Sequence, residues 1–507
     1  MASWQKLPYA IQERCLGFLD VRSICAVGSA SRSMLTLRAS LAQGSSELSI
    51  SSDVEAKSRG MDVTSSALLG MCSTPQICVV FTKARQQMMR QGNEVLAKLP
   101  RSTKVMVISG EDVQNQIMPG VEATVKLSVM LGSFGGSPVH GAAMDINDKE
   151  GTLEALAKFE RDLRAQTPHG EDSHSYWKAF MVISMSNTEP ELIDVVLKGL
   201  TNEHPGSSVF GGLCGLCASR FDGSSKINLV TTTGCYILAW GGNVPIRLIT
   251  CPAIENEPMG PTFRVVECSL GYPVTRLRAE GPEFVYASEP QEVNHPLGCG
   301  ITKLRDSNGI EVTPDEIDLP NENVRYAFRH ADRSVQDGFT LIGAKLVPDA
   351  YKSVLHTSST RDLTGATLAF FPMTEKGLKE NVENGLKGLS RHLVQANESI
   401  IGSLFFSCVA RGPRENGSLP AMYDAGTFSK AFPGVGLAGF YCYGEIGPTV
   451  AVGKEQDLIQ VGKAVSLQSF LCVFAVFVKD AKRSGSNSRV VDAELLARRF
   501  LDGEASL

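Results

Sequence analysis

The 507-residue sequence has no long run of lysine or arginine, no apolar stretch as long as a membrane helix, and no regular spacing among its 13 cysteines. Each absence removes a class of function. Acidic and basic residues are interspersed and the formal net charge is −5, so the footprint of a nucleic-acid binder is missing and no polyanion partner is expected. The longest apolar run near the C-terminal end, 470–478, is about half the ~20 residues a spanning helix needs, so a buried strand and no membrane partner are expected. Scattered cysteines, without a basic and apolar leader, point to a reducing compartment, cytoplasmic and/or nuclear. The Gly-rich segment 132–136 lacks both the Lys-Ser/Thr of a phosphate loop and a dinucleotide fingerprint, so it reads as tight turns and no cofactor is expected.

What is present divides the chain. A single core stops growing near ~250–300 residues, so two or three domains are expected. In the first 40 residues the apolar positions fall at helical spacing: Pro8 can open a helix, Ile11, Cys15, Leu16 and Leu19 form one stripe, and Ile24 and Val27 continue a second. So small a bundle needs a partner to cover it. The Ser-rich stretch 40–66 reads as a linker. From residue 76, strands alternate with helices: strands at 77–82, 105–109, 180–185, 209–215, 226–231 and 235–240, helices at 83–99 and 190–200. A similar pattern resumes near 251, with strands at 258–267, 272–277, 339–347, 400–409, 436–443 and 470–478. A helix is expected at 375–396, where Leu378, Val382, Leu386, Leu389 and Leu393 share a face. Residues 479–507 form a polar tail.

The residues Leu7-Pro8, Ile11, Leu16, Leu19-Asp20, Ser23-Ile24 and Ser31-Arg32 resemble the F-box, with Ala10 and Met34 departing from the usual acidic residue and tryptophan. That resemblance implies docking on Skp1 within a cullin–RING ubiquitin ligase, through Leu7, Pro8, Ile11, Leu16, Leu19, Ile24, Val27 and Met34. Two further signatures, Ser407-Cys-Val-Ala-Arg-Gly and the run from Val435 to Pro448, with the earlier Val209-Phe-Gly-Gly-Leu-Cys-Gly, are similar to the FIST_N and FIST_C pair. This pair implies a sensory region that binds a small ligand such as an amino acid. The expected architecture is therefore α+β. It comprises a helical F-box-like module at 1–45, a linker at 46–75, a FIST_N-like domain at 76–250, a FIST_C-like domain at 251–480 and a tail at 481–507, with mixed sheets covered by helices.

An amino acid needs a guanidinium for its carboxylate and a carboxylate for its ammonium. Arg411 and Glu445 supply these, with Tyr441 or Tyr443 as an aromatic wall. The alternative is that Arg411 and Glu445 pair with each other. Cys214 and Cys217 make only half a zinc site and read as buried structural thiols. His169 and His174 lie in a polar loop. The expected function is a non-enzymatic adaptor in which the F-box docks Skp1 and the FIST region binds a substrate protein. The alternatives are a stand-alone amino-acid sensor and an enzyme using Cys408 or Glu445.

Overall fold

The computed structural model describes residues 46–480 apart from 54–62, 65–66, 69–70, 72–73, 84, 116–126, 136, 229–232, 243–245, 253–262, 270–274, 281–283, 286–302, 306–310, 313–323, 330–339, 343, 350–351, 358–362, 373–374, 412–422, 450–458, 461–464 and 469–470. The positions Leu7 to Met34, expected to dock Skp1, and the tail at 481–507 lie outside the described residues. Within them the fold is α+β, as expected from the alternating pattern.

Three mixed sheets enclose one core. The first has the spatial order Ser46–Asp53, Leu127–Phe134, Ile77–Thr82, Lys104–Ser109, Leu216–Arg220. The second runs Val465–Gln468, Glu445–Pro448, Ser208–Cys214, Trp177–Met185, Gly234–Gly241, Val139–Asp145. The third runs Ile459–Gln460, Ile246–Pro252, Leu471–Asp480, Glu398–Cys408, Leu437–Cys442, Glu111–Asn115. Their central strands are continuous apolar runs because both faces are buried. Side chains of one parity, among them Val79, Met181 and Leu404, meet at the centre. Three aromatic pairs tie the sheets together: Phe81–Phe440 at 5.9 Å, Phe134–Trp240 at 5.9 Å and Phe210–Phe406 at 6.1 Å between ring centroids. Each pair spans a different two of the three sheets. Side chains of the other parity face outward onto helices. Cys78 and Val80 meet Met88–Leu96; Phe180 and Val182 meet Lys149–Gln166 and Pro190–Glu203; Phe405 and Phe474 meet Glu375–Ala396 and Tyr423–Ala431. Each fully buried aliphatic or aromatic side chain contributes about 1.5–3 kcal/mol relative to exposure, so the shared centre holds the three sheets as one unit.

The strand pairings repeat three times. In each repeat a first strand pairs antiparallel with the last: Ser46–Asp53 with Leu127–Phe134, Val139–Asp145 with Gly234–Gly241, and Ile246–Pro252 with Leu471–Asp480. The last strand flanks a parallel pair joined by a helix: Ile77–Thr82 with Lys104–Ser109, Trp177–Met185 with Ser208–Cys214, and Glu398–Cys408 with Leu437–Cys442. The strand after that pair leaves its own sheet for another. Leu216–Arg220 of the second repeat joins Lys104–Ser109 of the first, Glu445–Pro448 of the third joins Ser208–Cys214 of the second, and Glu111–Asn115 of the first joins Leu437–Cys442 of the third. The exchange therefore closes into a ring. Its two ends meet where Lys479 lies within electrostatic reach of Glu47 and where Leu48 and Ile50 pack on Gly402 and Gly436.

Two expected boundaries are corrected. The stretch read as a linker contains the strand Ser46–Asp53, in which alternating Leu48 and Ile50 are partly buried on the core. The division between 250 and 251 falls inside the strand Ile246–Pro252, because the exchanged strands make the two halves build common sheets. A seven-stranded antiparallel sheet and a three-stranded one, drawn from residues 263–372, are inserted in the third repeat. The expected strand at 226–231 is reduced, among the described residues, to a bridge between Asn228 and Ser219. The helix Lys149–Gln166, capped by Asp148 and burying Leu156, Phe159 and Leu163, was not anticipated.

Candidate functional site: a buried charged cluster at the exchange of strands

Both glycine-rich signatures lie where a strand of one repeat crosses to its neighbour. The third repeat turns at 443–444 and enters the second sheet at Glu445, opposite Gly212. Leu213 N–H donates to Gly444 O at 2.8 Å and Tyr443 N–H to Leu213 O at 3.1 Å, so the Val209 and Val435 signatures are direct neighbours. The glycines permit this approach. A Cβ on Gly212 would lie 2.5 Å from Cys442 Sγ and 3.1 Å from Gly444 O.

At the carboxyl ends of the third parallel pair, the strand Glu398–Cys408 passes into a 3-10 turn, Val409–Arg411. This places Arg411 beneath the crossover helix Tyr423–Ala431 with 1% of its surface exposed. Its guanidinium grips Asp424 with two bonds, Nε to Oδ2 at 3.0 Å and Nη2 to Oδ1 at 2.7 Å. Ser407 Oγ donates to the same Oδ2 at 2.7 Å. Burial by itself would lower the Arg411 pKa, but the Asp424 charge and hydrogen bonds outweigh it and the pKa is raised. Arg411 Nη1 has no hydrogen-bond partner among the described residues.

Glu445 is completely buried. Its Oε2 accepts from Leu471 N–H at 3.0 Å, which anchors the start of the last strand, and the Cys408 thiol lies within hydrogen-bonding reach of the carboxylate. Burial pushes its pKa well above the usual carboxylate range, against the opposing effects of the Leu471 N–H and the Arg411 charge. Beside it in register, Gln468 donates from Nε2 to Gly447 O and Pro448 O and leaves its Oε1 unpartnered. Arg411 Nη1 and Gln468 Oε1 are thus without hydrogen-bond partners among the described residues, although buried polar atoms are nearly always satisfied.

The site residues expected from sequence are placed unevenly. Arg411, Tyr441 and Glu445 are buried together, with Tyr441 in register beside Ser407. Tyr443 is 43% exposed, whereas Tyr441 is buried. The suggested Arg411–Glu445 ion pair is also corrected: the fork of Arg411 is taken by Asp424, so the guanidinium is not a vacant carboxylate clamp. Asp424 escaped sequence reasoning. Its signal was an aspartate on the buried face of a short helix, in line with Thr427, Phe428 and Ala431.

Elsewhere, Cys214 and Cys217 are buried, and burial and the neighbouring Cys214 push the Cys217 thiol up. Cys408 is also buried. His174 Nδ1 meets Glu203 O at 2.6 Å, which docks the polar loop on a helix end.

The fold and site define an α+β body with an incompletely satisfied charged cluster where its repeats exchange strands. Residues 350–448 match the FIST C domain, which is associated with small-ligand sensing. Ser407, Arg411, Asp424, Tyr441 and Glu445 all fall within the matched residues. Comparison with curated proteins finds no match.

Proposed function

We propose that this protein is a ligand-sensing adaptor whose FIST C region binds a small zwitterion such as an amino acid at the Arg411–Glu445 junction. The observation that carries the reading is that buried Arg411 Nη1 and Gln468 Oε1 have no hydrogen-bond partner among the described residues, with the Glu445 carboxylate in register beside Gln468 and within electrostatic reach of Arg411. The Arg411–Asp424 pair forms a fixed wall. A ligand carboxylate accepts from Nη1, and its ammonium donates to Gln468 Oε1 and the Glu445 carboxylate. Binding would satisfy groups that otherwise leave a desolvation penalty of about 1–3 kcal/mol each.

The F-box-like positions Leu7 to Met34 support a second element of this reading, docking on Skp1 and a cullin–RING scaffold with a substrate protein held by the FIST region. Ubiquitin transfer would then be carried out by recruited enzymes and not by this chain. In a thermal-shift panel of amino acids, at least one should stabilise the wild type and lose most of that effect in Glu445→Gln. No shift with any amino acid would refute the sensor. Capture by Skp1 should be abolished by Leu7→Ala with Pro8→Ala, and failure of the wild type to be captured would refute the adaptor.

A further inference from the structure

The first strand of the second repeat, Val139–Asp145, is the last strand of its sheet. It contains no proline or lysine, the usual protections of an exposed edge. Alongside it opens a cleft of about 810 Å³, lined on the strand side by His140–Asp145 and on the helix side by Lys149–Gln166 residues. The third repeat holds the same arrangement, an edge strand Ile246–Pro252 beside the helix Glu375–Ala396. There the place is occupied. The short strand Ile459–Gln460 pairs antiparallel, Leu248 with Gln460 and Ile249 with Ile459, and lies against that helix. The second repeat keeps the cleft and lacks the occupying strand among the described residues.

The helix wall carries an ordered charge pattern. Glu154, Lys158 and Asp162 line the cleft at four-residue intervals, with Arg161 next to Asp162 and His140 of the strand within electrostatic reach of Asp162, and none of the three is in an ion pair among the described residues. Four residues of helix rise about 6 Å, close to the roughly 6.6 Å between alternate residues of a strand. A strand lying along this wall can therefore set a basic, an acidic and a basic side chain against Glu154, Lys158 and Asp162 in turn. The small side chains of Ala142, Ala155 and Ala157 leave room for it.

We propose that this cleft binds an extended peptide of a partner protein, with basic, acidic and basic residues at alternate positions, which adds antiparallel to Val139–Asp145. Main-chain hydrogen bonds hold the strand and the charge order selects it. This site is separate from the Arg411 junction, so the failure of either leaves the other standing.

A fluorescein-labelled peptide, Thr-Lys-Ile-Glu-Ile-Lys-Thr, tests it by anisotropy with the full-length protein. It should bind, and its charge-inverted partner with Glu, Lys and Glu should bind about fivefold or more weakly. Lys158→Glu should weaken the first peptide about fivefold, and changing the peptide's central Glu to Lys should restore binding to that variant within about twofold. Methylation of alternate peptide nitrogens should abolish binding, as should Ala157→Trp with an unchanged melting temperature. Equal binding of both charge patterns, absence of binding to the wild type, or a wild-type dimer that Ala157→Trp dissociates would overturn the proposal.

Discussion

The first and third repeats build the same strand–helix–strand unit with different chemistry at its end. In the first, Thr82 Oγ1 donates to Gln91 Oε1 on the crossover helix at 2.6 Å, a neutral bond. In the third, Ser407 donates to Asp424, and Arg411 joins them to complete a buried ion pair. The second repeat is plainer still: Ser184 Oγ donates to a backbone oxygen, Gly234 O, and Leu216 follows Gly215 where Glu445 follows Gly444. One chain therefore forms this unit twice without an ion pair at the carboxyl ends of its parallel strands among the described residues, while buried Arg220 donates to Pro100 O and Thr103 O at the other end of the first unit and His204 meets Glu160 beside the second. Removing an arginine and an aspartate from water costs several kcal/mol per ion, which their mutual attraction only roughly offsets. The first two ends do without that expense, which is why the charges of the third are proposed to serve recognition.

Three variants break or sharpen this comparison. The largest effect is expected from Arg411→Ala, which strands the Asp424 carboxylate and should cost about 3–5 kcal/mol in urea denaturation. Replacing both partners, Arg411→Met with Asp424→Leu, should recover all but about 1 kcal/mol, because the first two repeats show that a neutral end suffices. A double variant as unstable as the single one would make the pair structural. Thr82→Val should cost about 1 kcal/mol, the loss of one neutral hydrogen bond.

The smallest effect depends on pH. The pKa of Glu445 is raised in the folded state by burial, so its protonated form contributes stability that is fully present below the ordinary value of 4.5 and is lost as pH rises through the folded value. Glu445→Gln keeps an acceptor for Leu471 N–H and never ionises. Relative to wild type it should gain melting temperature steadily as pH rises above about 4.5, and the two should run parallel below it. A constant difference across that range would show that Glu445 stays ionised.

Much of this fold was legible one segment at a time. The helix Glu375–Ala396 announces itself through Leu378, Val382, Leu386, Leu389 and Leu393, all buried, and the apolar runs at 77–82 and 470–478 mark strands buried on both faces. The strand Ser46–Asp53 was hidden because its four serines look like a linker, while only Leu48 and Ile50 carry its alternation. The exchange of strands was not legible at all. Glu111–Asn115, Leu216–Arg220 and Glu445–Pro448 are short, and nothing local states that a strand pairs with another repeat. The same limitation separated Arg411 from its true partner. A buried arginine demands a carboxylate, but Asp424 and Glu445 both satisfy that demand on paper, and only the path of the crossover helix decides between them.

The central claim is that the charged end of the third repeat serves a ligand and not the fold. Its most direct test is the ligand response of the Arg411→Met, Asp424→Leu double variant, measured by thermal shift against the amino acid that stabilises the wild type. The expected result is a variant that melts close to the wild-type temperature and no longer responds to the amino acid. A variant that keeps the full ligand shift, or one that fails to fold while the ligand leaves the wild type unmoved, would contradict it.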